Sequence, residues 1–321
     1  MGSDDNRRMT TSYSLDGAAP LAHWGVIRAQ GADAAAFLHG QLTNDFALLD
    51  TSHARLAGYC SAKGRLLASF IGWKRSDDEV LLMCSADLLA PTLKRLSMFV
   101  LRAKCKLSDA SAQCRLLGLA GPSVTALLGQ AAPAAVWSKT EHEGADVIRL
   151  PDAAGTTRYL WTAPIEAPLP ALPALDADAW RWGEVASGVV TIEAATVDQF
   201  VPQMLNYELL GGVDFKKGCY PGQEVVARSQ YRGTIKRRTF LFESDGAAVA
   251  GQEVFHSADP GQPAGKVANA VPRPNGAGGS GLLAEIKLAA MNQGTLHLGS
   301  AEGPLLQQIE MPYQVTLEAV D

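Results

Sequence analysis

Hydrophobic positions along this chain change period several times, and each change marks an element. Residues 24–29 read as a strand. After Asp33, a plausible helix cap, the apolar residues Ala36, Phe37, Leu38 and Leu42 share one face of a 3.6-residue repeat, predicting a helix. Residues 59–66 read as a hairpin turn with Lys63 and Gly64 at its tip, and the apolar runs 66–73 and 80–84 as strands. A helix is predicted over 88–100, with Leu89, Leu93, Leu96, Phe99 and Val100 on one side, followed by a strand around 104–107. Residues 115–120 predict another strand. Gly121 and Pro122 then open a helix over 122–128, because proline suits a first turn. Residues 146–162 alternate like two strands around a turn at 152–155. The segment 163–179, with prolines at 164, 168, 170 and 173, reads as a loop feeding a helix over 180–187 that ends at Gly188. Beyond Arg238 the texture shortens. Strands are predicted at 239–243, 253–256, 264–270, 281–286, 295–298 and 313–317, as in a small β-barrel or sandwich, with a Gly-rich tip at 275–281.

The pattern gives an α+β fold divided into a disordered stretch at 1–19, α+β subdomains at 20–113 and 114–180, a return segment at 181–239, and a C-terminal β unit at 240–321. A length of 321 residues calls for two or three units. With 47% apolar and 19% charged residues, each can bury a core. No run approaches the roughly 18 apolar residues of a spanning helix, and the polar start lacks the apolar core of a secretory signal. The expectation is a cytoplasmic protein that does not engage a membrane. Its five cysteines (60, 84, 105, 114, 219) are an odd number without a C-x-x-C and read as free thiols. The six histidines are scattered, so no preformed metal site is expected on this chain alone.

Candidate chemistry concentrates in Lys217-Gly218-Cys219-Tyr220-Pro221-Gly222-Gln223-Glu224. From Lys216 to Arg238 there are seven basic residues and one acid, in a chain of net charge -5. Proline followed by glycine predicts a type II turn over 220–223, and a helix from Gln223 would aim its amino end at Cys219. Together with Lys216 and Lys217 this would bring a thiol of pKa about 8.5 to roughly 7 or below, making Cys219 a reactive thiol. A small buried apolar cysteine is the competing reading. The basic run suits a polyanion such as a glutamyl chain, a phosphate or an RNA backbone, with Tyr231 able to stack on a flat ring; a solvated face is the bland alternative.

These eight residues fit the pattern K-G-C-Y-x-G-Q-E, and on it the chain resembles the YgfZ-type folate-binding proteins, relatives of the glycine-cleavage aminomethyltransferase (T-protein). The likeness extends to 37–45 (F-L-H-G-Q-L-T-N-D), 62–65 (A-K-G-R), 200–206 (F-V-P-Q-M-L-N), 211–217 (G-G-V-D-F-K-K), 226–228 (V-A-R) and 231–233 (Y-R-G), covering about residues 20–240. It implies three subdomains in a ring around a hole that admits tetrahydrofolate, and a terminal β-barrel. It implies folate-dependent support of iron–sulphur cluster assembly or repair, on which some tRNA-modifying enzymes depend. The partners would be folate, assembly or client proteins, and tRNA, with a cluster held only transiently if at all. Cys219 would be the redox thiol. Lys217, Tyr220, Gln223, Glu224, Arg228, Tyr231 and Arg232, with Gln203 and Asn206, would be the folate-binding residues.

Two departures qualify the likeness. T-proteins place an aspartate after the turn corresponding to Lys63-Gly64, where this chain has Ala68; a methyl group cannot assist the transfer chemistry. The family's pterin-gripping glutamate aligns with Ala186, while Glu184 lies about 200° around a helix from it and Glu193 is a further candidate. Folate-dependent one-carbon transfer and an RNA-binding module at 228–238 stand as alternative functions.

Overall fold

The computed structural model describes residues 15–232, 235–274, 276 and 278–315. The chain opens with β1 (Gly17–Pro20), β2 (Trp24–Gln30), α1 (Ala34–His39), β3 (Ala54–Cys60), β4 (Leu66–Ser76), β5 (Glu79–Ser85), α2 (Ala86–Ser97) and β6 (Lys106–Asp109). Strands 2–6 form an antiparallel sheet in the order β3-β4-β5-β2-β6. Its strands β3, β4 and β5 are buried largely on both faces, and the period of two sorts the residues. On β5, Val80, Leu82 and Cys84 face a core shared with Phe37 and Leu38 of α1 and Leu89 and Leu96 of α2. Leu81 and Met83 face the centre of the molecule.

A second sheet follows, built from β7 (Cys114–Ala120), α3 (Pro122–Leu128), β8 (Lys139–His142), β9 (Ala145–Ala153) and β10 (Thr156–Pro164). Its order is β1-β7-β10-β9-β8. Leu117, Leu119, Val147 and Trp161 pack under Val124 and Leu128 of α3, whereas Ile148 and Leu160 turn to the central core. Then come α4 (Ala177–Ala186), capped by Asp176, whose carboxylate accepts from Ala179 N at 2.9 Å, and α5 (Gln223–Tyr231). The terminal unit is a closed barrel of β11 (Arg237–Ser244), β12 (Glu253–His256), β13 (Asp259–Pro272), β14 (Ser280–Lys287), β15 (Leu296–Leu298) and β16 (Leu305–Ile309). Phe240, Phe242, Val267, Leu282 and Ile286 fill it. One further cluster spans all units, joining Met83, Leu160, Trp180, Val185, Leu241 and Leu283. The α+β class and the terminal barrel expected from the sequence are both present.

Three expectations are corrected. Residues 15–19 are ordered: Gly17 pairs with Ala120 across β1 and β7, and Leu15 is buried, because the edge of the second sheet needs a partner; residues 1–14 lie outside the described residues. Residues 313–315 are not a strand, and 316–317 lie outside the described residues. The barrel is closed instead by β16, which pairs with β11, while Tyr313 donates its hydroxyl to Gly188 O at 2.9 Å. The helix expected at 88–100 runs two residues earlier and stops at Ser97, and the strand after it begins at Lys106. Asn275 and Ala277 of the Gly-rich tip, and Gly233 of the Y-R-G run, lie outside the described residues. Among the described residues no helix is long and apolar enough to cross a membrane.

Candidate ligand cleft and thiol loop

The first sheet's unit, α4 with the segment after it, and the barrel meet at a cleft of about 300 Å³, with His23 and Trp24 from β2 and its lead-in, Asp87 from α2, Arg181 and Glu184 from α4, Glu193, and Asn269 from β13. Behind it lies a smaller central cavity of about 40 Å³, walled by Trp24, Phe70, Trp137 and Trp180 with Arg158 and Glu184. Glu184 belongs to both. Its Oε1 accepts from Trp24 Nε1 at 2.8 Å and Trp180 Nε1 at 2.9 Å, and its Oε2 from His23 Nε2 at 2.7 Å. Trp180 lies one helical turn before Glu184, which explains how the indole reaches it. Glu193 accepts from Asn269 Nδ2 at 2.8 Å. Burial raises its pKa, and the Asp87 and Glu184 charges add to this against the opposing Asn269 bond and Arg181.

Arg158 is buried with its guanidinium carbon 5.0 Å from the Trp180 ring centre, and burial lowers its pKa to about 10. Its Nε and Nη2 donate to Pro151 O at 3.2 and 3.1 Å, but Nη1 has no partner among the described residues. A buried, unspent N–H on a cavity wall is an invitation to an acceptor.

The K-G-C-Y-P-G-Q-E loop lies elsewhere, at the tip of the β3–β4 hairpin. Gly222, at φ 79° and ψ 1°, occupies the left-handed position of a type II turn, and Gln223 N donates to Tyr220 O at 3.2 Å. A β-carbon on Gly222 would lie 2.4 Å from Ser61 O and 2.8 Å from Gly64 Cα, so the two glycine turns are pressed together. Leu56, on the cavity wall, is four residues from Cys60 at the hairpin's end, about 13 Å of strand. Cys219 is exposed, whereas Cys60, Cys84 and Cys114 are buried and Cys105 is half-buried. Burial pushes the Cys60 and Cys84 thiols up to about 12.

The other residues singled out in the sequence fall into two groups, and neither lines the cleft or the central cavity. One group is spent inside the protein. Lys217 Nζ donates to His39 O, Leu42 O and Gly218 O at 2.5, 3.0 and 3.2 Å, and sits 4.6 Å from the centre of the buried Tyr220 ring. All three of its protons are used. Burial lowers its pKa to about 8, against the opposing charges of Asp45, Asp214 and Cys219. Gln203 Nε2 donates to Val226 O at 2.8 Å; Asn206, at φ 59°, donates to Thr239 O at 2.9 Å and to the Tyr313 hydroxyl at 3.2 Å. The other group decorates α5 and its end: Gln223 is half-buried, and Glu224, Arg228, Tyr231 and Arg232 are exposed. Tyr231 meets only the edge of Phe215, with ring centres 5.8 Å apart.

The basic run is correspondingly thinner at the surface. Arg237 pairs with Glu285 and Arg238 with Glu208, leaving Lys216, Arg228, Arg232 and Lys236 exposed. Ala68 is buried opposite Tyr59 in the first unit's core, and the next residue, Ser69, faces the cavity, accepting from Ile192 N at 2.9 Å. Both Glu184 and Glu193 reach the cleft. His23, Trp24, Asp87, Arg158 and Asn269 had no short-range sequence signal, because they converge from separate elements. Among the described residues no three of His, Cys, Asp and Glu are placed to share a metal ion.

Residues 17–150 match the GCVT N-terminal domain family. The fold is similar to that of the glycine cleavage system aminomethyltransferase T from Bartonella henselae, with a TM-score of 0.70 over 93% of this chain and 86% of that one, at 16% identity. The tRNA-modifying protein YgfZ of Edwardsiella ictaluri is 35% identical over 247 residues, covering 68% of this chain and 69% of the relative. This chain belongs to the YgfZ family. The YgfZ protein of Sodalis glossinidius is 32% identical over 232 residues, and that of Escherichia coli O157:H7 28% identical over 253. In this YgfZ family member the GCVT match takes in the first sheet and the hairpin that carries the A-K-G-R turn. The thiol loop lies outside the match and packs against that hairpin.

Proposed function

We propose that this YgfZ family member binds a reduced folate, tetrahydrofolate or a derivative, and supports tRNA modification by aiding iron–sulphur cluster assembly or repair, with Cys219 as its working thiol. The observation that carries the folate reading is the pairing of Glu184 and Glu193 in one cleft. A pterin presents an amino–amide edge with two N–H donors, which a carboxylate matches. Glu184 already takes three donors, whereas Glu193 takes Asn269 and the Thr196 N–H of its capping box, so Glu193 has more room for that edge. Arg158 Nη1, in the adjoining cavity, offers a donor for a ring carbonyl. A cleft near 300 Å³ is at the small end of small-molecule sites. The relatives' name supplies the link to tRNA modification. Position 68 carries a methyl group, so aminomethyl transfer by the T-protein route is not part of this reading.

Calorimetric titration with tetrahydrofolate tests it. The wild type takes up the ligand, Glu193→Gln weakens binding by about tenfold through loss of a charge-assisted contact, and Arg228→Ala, outside the cleft, leaves it unchanged. No heat with the wild type overturns the folate reading. A second reading rests on the exposed cations Lys216, Arg228, Arg232 and Lys236 beside Tyr231, which is 70% exposed. They form a surface for an RNA backbone, and tRNA binding that weakens steeply with salt would support it.

A further inference from the structure

Where α2 ends, the surface changes character. From Leu88 to Ser108 the sequence carries five cations, Lys94, Arg95, Arg102, Lys104 and Lys106, and no acid, in a chain of net charge -5. All five are exposed, and among the described residues none forms a salt bridge. Lys94 and Arg95 lie in the last turn of α2, where a cation complements the helix dipole. The other three follow the helix and have no such reason. Asp33, which accepts from Lys104 N at 2.7 Å, is an acid at the edge of the patch. Set among these charges are Met98, Phe99 and Leu101, which are 59%, 44% and 85% exposed. Single exposed apolar residues are ordinary, but of the twelve large apolar side chains exposed among the described residues, three fall between positions 98 and 101.

A groove of about 340 Å³ opens beside them. Leu67, Leu88, Pro91, Met98 and Val197 give it apolar walls, and the exposed Lys94 and Arg95 border it. Tyr59, also on its wall, is buried; the Arg95 guanidinium approaches its hydroxyl and opposes the burial that raises the phenol's pKa. The groove shares no lining residue with the cleft or the central cavity. We propose that this surface docks a partner protein through an acidic segment that carries apolar side chains. An apolar side chain of the partner fills the groove, others cover Met98 and Leu101, and carboxylates meet Lys94, Arg95 and Arg102. This reaches beyond the folate and thiol readings and depends on neither.

Charge sets the sign of the partner, and the apolar side chains set its class. Unpaired cations around an apolar contact steer an acidic surface and fix its register. Met, Arg and aromatic residues are the ones enriched where proteins meet. An RNA backbone answers the cations but gains nothing from the aliphatic Leu101 and Met98, because stacking needs flat side chains. An anionic membrane answers charge and apolar tips alike, yet a headgroup layer lies flat and leaves a concave groove unfilled. A second copy of this chain meeting the patch across a two-fold axis would set the same five cations against each other. An acidic, partly apolar protein segment satisfies all three features together.

The experiment pans a display library of random peptides against the full chain. Enriched sequences should combine Asp or Glu with Leu, Ile or Phe. Their affinity, read by fluorescence anisotropy, should fall about tenfold in the double variant Arg95→Glu, Arg102→Glu and about tenfold in Leu101→Ser. Circular dichroism verifies folding, and because Arg102 and Leu101 are exposed, Arg102→Glu alone keeps the charge test intact if the loss of Arg95 disturbs Tyr59. A library that yields no binder, binders without acids, or acidic binders that hold the variants as tightly as the wild type overturns the proposal. Unfractionated tRNA or phosphatidylserine vesicles that bind the wild type and are lost in both variants, with no acidic peptide enriched, would reassign the surface to RNA or membrane. A concentration-dependent dimer in sedimentation that Leu101→Ser abolishes would reassign it to a second copy.

Discussion

Glu193 is a carboxylate kept where its charge costs stability. Burial raises its pKa above the unfolded value near 4.3, so the folded state holds that proton more tightly. The sign follows directly: its contribution is most favourable below the unfolded pKa and is lost as pH rises through the folded one. Glu193→Gln keeps an oxygen for Asn269 and removes the charge. The variant should therefore melt higher than the wild type near pH 7, with the gain fading toward pH 4. A thermal series across that range checks it, and a constant difference would show that the charge is not the cause. A residue that weakens the fold while facing a cleft is a candidate for ligand contact. At this scale the sequence was informative about type and less so about role. The cysteine, its turn and its exposed setting were legible. Lys217 was not: its ammonium, expected to face a ligand, is consumed by three carbonyls that only the folded chain brings together.

Elements carry the site through two glycine turns. Gly222 has φ 79°, and its α-carbon leaves no room for a side chain beside Ser61 O and Gly64 Cα. Gly222→Ala adds the left-handed strain of about 1–2 kcal/mol to a steric clash, so a loss of more than 2 kcal/mol is expected, read from the denaturation midpoint. The same change should push the thiol loop off the hairpin tip and alter the reaction of Cys219 with a disulphide reagent, while tetrahydrofolate uptake in the cleft persists. The type II turn was legible because proline and glycine fix backbone angles locally. The contact between turns was not, since residues 64 and 222 are far apart in sequence. Both-sided burial explains the strand record as well. Runs such as 80–84 are apolar throughout because alternate side chains serve two different cores. By contrast, β1 is Gly-Ala-Ala-Pro, small residues of low strand propensity, and its place at the sheet edge was hidden behind a polar start.

At the scale of the whole molecule, the barrel is attached by charge as well as by apolar contact. Arg238, on the first barrel strand, is buried against Glu208, with its Nη1 also 3.0 Å from Gln203 O. Arg238 thus reads inward, although the sequence around it suggested an outer basic surface; a run of like charges cannot reveal which members find acids elsewhere in the fold. Breaking one side of a buried pair leaves the other charge uncompensated, at about 3–5 kcal/mol. Glu208→Gln should lower stability by that order. Because the pair joins the barrel to the segment that also holds Gln203 and Asn206, calorimetry should show one thermal transition in the wild type and a separate, earlier one for the barrel in the variant. The barrel supplies Asn269, the partner of Glu193, to the cleft. Detaching it should therefore abolish tetrahydrofolate uptake at temperatures between the two transitions while the first sheet remains folded. Uptake that survives loss of the barrel would place the ligand away from Asn269 and Glu193.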